Sequence, residues 1–153
     1  MKFMQEAVKL AENGMMNNEG GPFGCVIVKD GEIVGRGNNK VTSSNDPTAH
    51  AEVVAIRDAC KNLSAYQLEG CEIYTSCEPC PMCMGAIYWA RPSKVFYALT
   101  REDAAAIGFD DSMIYEELKL PLNDRKIPIE NCGRKESLHI FHAWKEKEDK
   151  TKY

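Results

Sequence analysis

Residues 48–52 read T-A-H-A-E, and residues 78–83 read E-P-C-P-M-C. Together they form the pattern H-x-E followed, about thirty residues later, by P-C-x-x-C. This pattern is typical of a zinc site in which the histidine and both cysteines bind the metal while the glutamate lies beside it without binding. Three protein ligands leave the fourth tetrahedral position open to water, whereas four make a structural site. The two segments therefore predict chemistry at a metal.

The two cysteines of the second segment suit a single metal ion. Cys80 and Cys83 are three residues apart at the start of a predicted helix, 81–90, and residues at this spacing share a helix face. The positive end of a helix dipole lowers the pKa of a thiol and favours the thiolate, which is the form that binds metal. His50 is expected in the first turns of its own helix, which we predict to begin near Asp46-Pro47.

Glu52 is the expected proton carrier. Thiolates donate more charge to zinc than imidazoles do, so water at this metal is less acidic than at an all-histidine site and needs a base. A carboxylate can take the proton and return it to the substrate. Two residues along an ideal helix correspond to about 200° of rotation, so Glu52 reaches the water only if the metal lies over the end of the helix rather than beside it.

The remaining cysteines leave one alternative open. If Cys77 is a fourth ligand, the site is a structural zinc knot. An iron–sulfur motif is rejected, because it needs another cysteine where this chain has Ile87. Four cysteines are expected to be small buried apolar residues rather than ligands: Cys25, Cys60, Cys71 and Cys77.

The pattern of apolar and turn residues predicts an α/β protein. A helix with apolar residues at helical spacing begins near Phe3 and ends at Gly14 or at the Gly20-Gly21 pair, and two strands follow, joined at Asp30-Gly31. Further strands are expected at 71–76, 94–99 and 127–131, and further helices at 81–90, 102–107 and 137–148. Strands that alternate with helices after residue 47 imply parallel pairing through helical crossovers.

The composition limits the partners and the compartment. The 153 residues carry a net charge of −4, whereas tight binding to a polyanion needs a basic face, so nucleic acid is disfavoured as a partner. No apolar run approaches the roughly 20 residues of a membrane span. Seven cysteines, partly clustered, are typical of metal binding in the reducing cytoplasm. We expect a cytoplasmic protein with a single domain over residues 1–153.

Several segments carry a likeness to a known family. D-P-T-A-H-A-E at 46–52 and E-P-C-P-M-C-M-G-A-I at 78–87 resemble the purine and nucleoside branch of the cytidine-deaminase-like superfamily. Within that branch, G-G-P-F-G at 20–24 and G-F-D-D-S at 108–112 are similar to its guanine-deaminating members. The likeness covers almost the whole chain and is weakest between residues 118 and 142.

The resemblance implies a three-layer α/β/α fold with a central five-stranded mixed sheet, and the hydrolytic deamination of guanine to xanthine and ammonia. It implies one zinc ion per subunit, bound by His50, Cys80 and Cys83, with Glu52 as the catalytic proton shuttle. The residues that it places in substrate binding are Asn39, Phe23, Ala51, Trp89, Phe109, Asp111 and Tyr153. A buried carboxylate such as Asp111 suits the N–H donors of a guanine edge.

The resemblance also implies an assembly. It implies a homodimer in which the C-terminal segment, about residues 135–153, is exchanged between subunits, so that Tyr153 reaches the base. Two other functions stay open within the same superfamily: deamination of adenosine in tRNA, and deamination of another small nucleobase. From a different class, a non-catalytic interaction domain stabilised by zinc also stays open, and it would be established by a fourth protein ligand.

Overall fold

In the computed structural model, which describes residues Met1–Tyr153, four strands form one mixed sheet. The strands are β1 (Gly24–Lys29), β2 (Glu32–Asn38), β3 (Cys71–Cys77) and β4 (Lys94–Leu99), in the order β2-β1-β3-β4. β1 is antiparallel to β2 and to β3, and β3 is parallel to β4. The expected mixed sheet is confirmed, but with four strands instead of five.

The predicted fifth strand, 127–131, is wrong. This segment forms no strand and pairs with none. Pro128 has no backbone N–H to contribute to a sheet, and proline in a strand is confined to edges and bulges. Ile127, which the pattern placed in a strand, is 77 % exposed. Two isoleucines flanking a proline resembled an alternating strand but had no partner to pair with.

The hairpin between β1 and β2 turns where the sequence predicts. Asp30 and Gly31 both have left-handed backbones, with φ of 50° and 80°. This is the conformation that a two-residue type I′ turn requires, and its twist matches that of the two strands. The turn brings Lys29 opposite Glu32, and the pairing continues along the hairpin to Gly24 and Asn38, with a shift in register between Ile27 and Val28.

Helices connect and cover the strands. They are α1 (Lys2–Met16), α2 (Val41–Ser44), α3 (Ala51–Leu63), α4 (Pro81–Ala90), α5 (Arg101–Ala106), α6 (Ser112–Lys119) and α7 (Arg134–Glu146), with a 3-10 turn at Leu122–Asp124. The predicted helix 81–90 is confirmed, and those at 102–107 and 137–148 are present with shifted ends. The helices α2 and α6 were not predicted. No helix is both long and apolar enough to cross a bilayer.

Two predicted helix ends are wrong. α1 continues through Gly14 to Met16, and the buried Gly14 lies against Asn38, where an added Cβ would be 2.2 Å from the amide nitrogen. α3 begins at Ala51 rather than near Asp46. The Asp46 carboxylate accepts hydrogen bonds from the N–H and the hydroxyl of Thr48, at 2.8 and 2.6 Å. Such a local side-chain turn competes with a helix start.

The two faces of the sheet are covered by different helices. α1 packs on one face, where Ala7 contacts Val26 and Val28. α3 and α4 contribute to the core of the other face, together with β1 and β3. The buried residues that form this second core include Ala51, Ala55, Ala59, Ile27, Ile73 and Ile87. The three-layer α/β/α architecture is therefore confirmed.

Two glycines of β2, Gly35 and Gly37, allow α3 to approach the sheet closely, and Gly37 does so at the first turn of the helix. A Cβ on Gly37 of β2 would lie 2.2 Å from the carbonyl oxygen of Ala51 and 2.5 Å from the nitrogen of Ala55. No side chain fits between strand and helix at this point, so the helix backbone lies directly on the strand. This contact fixes the first turn of α3, and with it the position of Glu52.

The chain divides into two compact units, Met1–Asp111 and Ser112–Tyr153. The first holds the sheet and α1 to α5, and the second holds α6, the 3-10 turn and α7. Within the second unit, the Lys126 N–H donates to the Glu117 carboxylate at 2.7 Å. Within the same unit, Phe141 on α7 is 78 % exposed. The expected single domain over residues 1–153 stays a prediction.

Candidate active and metal site

The starts of two helices bring the three predicted metal ligands together. His50 is the residue just before α3 and has an extended backbone, with φ −69° and ψ 155°. Cys80 occupies the same place before α4, whose first residue is Pro81, and Cys83 lies in the first turn. The ligand atoms of His50, Cys80 and Cys83 all lie within 4.8 Å of one another.

The two nitrogen-to-sulfur distances in this group fit a tetrahedral zinc ion. The Nδ1 atom of His50 is 3.4 Å from the Cys80 sulfur and 3.5 Å from the Cys83 sulfur. With Zn–S of 2.3 Å and Zn–N of about 2.0–2.1 Å, two ligands at a tetrahedral angle should be about 3.6 Å apart. The imidazole therefore presents Nδ1, and the donor set of one nitrogen and two sulfurs suits zinc.

The two cysteines differ in acidity. The hydrogen bond from the Cys83 thiol, assisted by the His50 imidazole, lowers the pKa of Cys80 to about 4. The same bond to Cys80, together with burial, raises the pKa of Cys83. The hydrogen bond with Cys80 raises the pKa of His50. The pair readily loses one proton, and a cation that binds both sulfurs displaces the second, so metal binding releases protons.

Glu52 is buried next to the ligands. Its side chain is only 6 % exposed. Oε1 accepts a hydrogen bond from the Thr75 hydroxyl at 2.8 Å, and Oε2 is 3.4 Å from the Cys83 sulfur. Two residues within one helix would point about 200° apart. This separation does not apply here, because His50 lies before the helix and only Glu52 lies within it. Imidazole and carboxylate can therefore both be directed over the helix end.

The other buried cysteines are not part of the group. Cys77 directs its sulfur to the Thr100 carbonyl oxygen at 3.5 Å. Burial raises its pKa to about 11, and the Glu52 charge adds to the rise. Cys25 and Cys71 are fully buried, whereas Cys60 is half-buried. Burial raises the pKa of the Cys25, Cys71 and Cys60 thiols. A fourth ligand from Cys77, as in a structural knot, has no support in this geometry.

Asn39 directly follows β2 and is 5 % exposed. Its Oδ1 accepts hydrogen bonds from the backbone N–H groups of Gly21 and Val41, at 3.3 and 3.1 Å. Its backbone N–H donates to the Phe23 carbonyl at 3.0 Å. With the oxygen occupied by two donors, the amide has a fixed orientation and can offer only its Nδ2 hydrogens to a ligand.

Two aromatic residues predicted to bind substrate contact each other, and a predicted carboxylate lies near the metal-ligand group. The rings of Phe23 and Phe109 meet edge to face, with centroids 4.9 Å apart. Burial raises the pKa of the Asp111 carboxyl, and the neighbouring Cys80 sulfur adds to the rise. Asp111 is therefore close enough to the metal ligands for their charges to interact.

The other three residues predicted to bind substrate differ in how far they are buried. Ala51 is fully buried between His50 and Glu52. Trp89 lies on α4, roughly 9 Å along the helix axis from Cys83, and its side chain is 65 % exposed. Tyr153 belongs to the second unit and is 69 % exposed. The substrate-binding roles of all seven residues, these three together with Asn39, Phe23, Phe109 and Asp111, stay predictions.

The structure adds residues that the sequence did not single out. Thr75 donates to Glu52 from a buried strand. Glu19 accepts from the Asn38 amide at 2.6 Å and so anchors the residue before Asn39. A Cβ on Gly21 would lie 2.9 Å from the Phe109 ring and 3.1 Å from the Phe23 ring. A hydroxyl within an otherwise apolar strand could have indicated a role for Thr75. No feature of the sequence indicated a role for Glu19.

Comparisons with known proteins agree with this geometry. Residues 1–99 match the model of the cytidine and deoxycytidylate deaminase zinc-binding region. Guanine deaminase of Bacillus subtilis is 58 % identical over 151 residues, which cover 99 % of this chain and 97 % of that protein. The X-ray structure of guanine deaminase from Bacillus subtilis matches with a TM-score of 0.97, at 58 % identity and the same coverage of 99 % and 97 %.

Two further relatives match over less of their length. A guanine deaminase structure from Nitrosomonas europaea is similar with a TM-score of 0.68 at 31 % identity, covering 71 % of this chain and 63 % of that one. The tRNA-specific adenosine deaminase of Aquifex aeolicus is 43 % identical over 96 residues, 63 % of each chain. The likeness to a tRNA enzyme is thus confined to part of the chain, whereas the likeness to the Bacillus subtilis enzyme spans nearly all of it.

Proposed function

The chain belongs to the cytidine and deoxycytidylate deaminase family, and from this premise we infer that it is a zinc-dependent aminohydrolase that converts guanine and water to xanthine and ammonia. The observation that carries this conclusion is the group of His50, Cys80 and Cys83 with the Glu52 carboxylate 3.4 Å from the Cys83 sulfur. The likeness to a guanine deaminase over nearly the whole chain identifies guanine as the base.

One zinc ion per subunit is the proposed cofactor, bound by Nδ1 of His50 and by the sulfurs of Cys80 and Cys83. The separations of 3.4 and 3.5 Å between Nδ1 and the two sulfurs support this ligand set. When bound, zinc supplies a Lewis acid that makes a water molecule nucleophilic near neutral pH. The chain itself supplies the groups that move protons and hold the base.

Glu52 is the proposed proton carrier. Its Oε2 atom is directed to the ligand group while Oε1 is held by Thr75. Glu52 takes a proton from the attacking water and gives it to the ring nitrogen beside the amino-bearing carbon, as the new C–O bond forms. It then moves the remaining hydroxyl proton to the amino group, the C–N bond breaks, ammonia leaves and a carbonyl results. One carboxylate is sufficient for both transfers.

The purine is proposed to be held by an amide and a carboxylate of opposite hydrogen-bonding character. Asn39 can only donate, because its oxygen is occupied by the N–H groups of Gly21 and Val41, and it suits a ring nitrogen or carbonyl oxygen of the base. Asp111 accepts and suits the N–H groups of guanine. Phe23 and Phe109, in edge-to-face contact, supply an apolar surface for a flat base.

Assembly and compartment are further proposals. We expect a homodimer in the cytoplasm, in which the C-terminal segment, about residues 135–153, passes to the partner. Within the second unit, Ile140, Phe141 and Trp144 are 57, 78 and 45 % exposed, and such apolar exposure on one helix is typical of an interface. All seven cysteines are free, as in reducing compartments. Light scattering of the purified protein measures the mass of the assembly.

Ammonia release from a panel of substrates tests the function. The purified protein is assayed with guanine, adenine, cytosine and a tRNA anticodon stem-loop. Each assay is repeated after chelation of the metal and again after zinc is returned. We expect turnover of guanine that is lost on chelation and restored by zinc, with xanthine formed in equal amount to ammonia.

Each other outcome has a clear meaning. Turnover of the stem-loop without guanine would assign the chain to tRNA editing, and turnover of cytosine or adenine alone would assign another base. Zinc at full occupancy without turnover of any substrate would favour a non-catalytic zinc domain. Guanine turnover that persists after the protein is shown to be free of metal would contradict the proposed role of zinc.

A further inference from the structure

Thr75 is a polar residue in an apolar setting. It lies in β3, which pairs with β1 on one side and with β4 on the other, and it is opposite Cys25 and Tyr97 in these two strands. Thr75 is 1 % exposed. Side chains alternate between the faces of a strand, so Thr75 shares a face with Ile73, which belongs to the core beneath α3. Burial of a hydroxyl is unfavourable unless it forms a hydrogen bond. The hydroxyl at this position therefore calls for an explanation.

The single partner of the Thr75 hydroxyl is the Glu52 carboxylate. The hydroxyl donates to Oε1 at 2.8 Å, since an ionised carboxylate can only accept. The second oxygen, Oε2, is 3.4 Å from the sulfur of Cys83, which belongs to the metal-ligand group. The two oxygens of one carboxylate thus have distinct neighbours, one on the sheet and one at the metal ligands.

Thr75 is well suited to fix this arrangement. A β-branched side chain has few χ1 rotamers, and its strand is paired on both sides. The hydroxyl is therefore held in place by the sheet, independently of α3, which carries Glu52. Without it, rotation about the last side-chain torsion would let Oε1 and Oε2 exchange or leave the ligand group.

We propose that Thr75 is a positioning residue that anchors Oε1 of Glu52 and so keeps Oε2 beside the group formed by His50, Cys80 and Cys83, where zinc would bind. The proposal rests on the proposed function of Glu52 as proton carrier. The Thr75 hydroxyl bonds to Glu52 and to none of His50, Cys80 and Cys83. Its effect should therefore appear in the chemical step, whereas substrate binding and zinc content should stay the same.

The principal test replaces Thr75 by valine, which keeps the shape and removes the hydroxyl. Guanine turnover, bound zinc and melting temperature are measured for Thr75→Val and for the wild type. We expect kcat to fall by about 10- to 100-fold, as a small misplacement of a catalytic group does, with KM within about threefold and zinc content unchanged. Thr75→Ser, which keeps the hydroxyl, should return kcat to within about threefold of the wild type.

A matched control separates positioning from a merely structural role. The neighbouring Ser76 is also buried, and its hydroxyl accepts from the Gly24 N–H at 3.0 Å, without contact to Glu52. Ser76→Ala should lower the melting temperature without changing kcat. If Thr75→Val does not fold, Thr75→Ala and Thr75→Ser are compared instead, since both lack the methyl group and differ only in the hydroxyl.

The outcomes distinguish this proposal from the proposed function. If the wild type turns over guanine but Thr75→Val keeps a kcat within about threefold of it, the positioning role is wrong while the deaminase function stands. A fall in kcat that Thr75→Ser fails to restore would also overturn it. If the wild type itself releases no ammonia from guanine, the proposed function is what fails.

Discussion

The two halves of the candidate site are built in different ways. The metal half consists of side chains at the starts of α3 and α4 together with Glu52, which is buried and hydrogen-bonded from the central sheet. The base half consists of residues from separate loops, such as Asn39 after β2 and Asp111 before α6. The first half is fixed by regular elements, and the second depends on how loops meet. Changes in the metal half should abolish turnover, whereas changes in the base half should alter affinity and selectivity.

Removal of a metal ligand should have the largest effect. Cys83→Ser should lose bound zinc and all measurable guanine turnover, and should lower the melting temperature, because metal binding contributes to folding. Elemental analysis, ammonia release and thermal unfolding measure the three properties. Cys132→Ser, at an exposed cysteine, is the control and should retain all three. Full zinc occupancy in Cys83→Ser would show that this residue is not a ligand.

Loss of the proton carrier should separate chemistry from metal binding. Glu52→Gln should keep its zinc while kcat falls by about 10³- to 10⁴-fold, near the upper limit for acid–base catalysis. Steady-state kinetics and zinc analysis of the same preparation give both quantities. Glu102→Gln, which changes an exposed carboxylate on α5, should behave as the wild type. A near-normal kcat in Glu52→Gln would remove Glu52 from the mechanism.

The base half can be tested at its carboxylate. Asp111→Asn should lower kcat/KM for guanine by about 10²-fold or more, because an amide oxygen replaces a charged acceptor and the amide nitrogen meets another donor. Zinc content should be unchanged. Asp110→Asn, at the neighbouring residue, is the matched control and should have a smaller effect. An unchanged kcat/KM in Asp111→Asn would mean that another group accepts from the base.

The smallest effect is expected where Gly21 packs against the rings of Phe23 and Phe109. In Gly21→Ala the new methyl group would meet the Phe109 and Phe23 rings at 2.9 and 3.1 Å, so one ring must shift. We expect KM for guanine to rise about tenfold while kcat changes less, which is the pattern of lost binding that the ground state and the transition state share. Gly85→Ala, where the added atom would meet nothing within 4 Å, should leave KM unchanged. Equal KM values in the two variants would show that these rings do not contact the base.

The same division explains what could be predicted from the sequence. The group of His50, Cys80 and Cys83 was predicted from sequence spacing alone, because residues at the start of a helix lie at positions that their spacing largely determines. β3, β4 and α4 were found for a similar reason, since apolar runs bounded by turn residues define them. The structure brings the side chains of His50, Cys80 and Cys83 together as predicted, although α3 begins later in the sequence than predicted.

Other features could not be found in this way. The hydrogen bond from Thr75 to Glu52 joins residues 23 apart in sequence and depends on which face of β3 lies under α3. Contact between Phe23 and Phe109 depends on two loops far apart in the chain. For Asn39 and Asp111 the sequence itself favoured an ordinary loop residue, and only family likeness predicted a role in binding the base. The wrongly predicted fifth strand at 127–131 is an error of the opposite kind. The local pattern there predicts a strand, but no neighbouring strand is available to pair with it.

The close approach of Gly37 to α3 links the two halves. The glycine lies two residues before Asn39, and its Cα faces the carbonyl of Ala51, which adjoins Glu52. A methyl group at this one position would push the acid and the amide apart, although it touches neither. An engineer who wishes to alter the segment between β2 and α3, in order to accept a different base, can therefore vary the residues between Asn39 and His50 but has to keep these two residues and the glycine that precedes them.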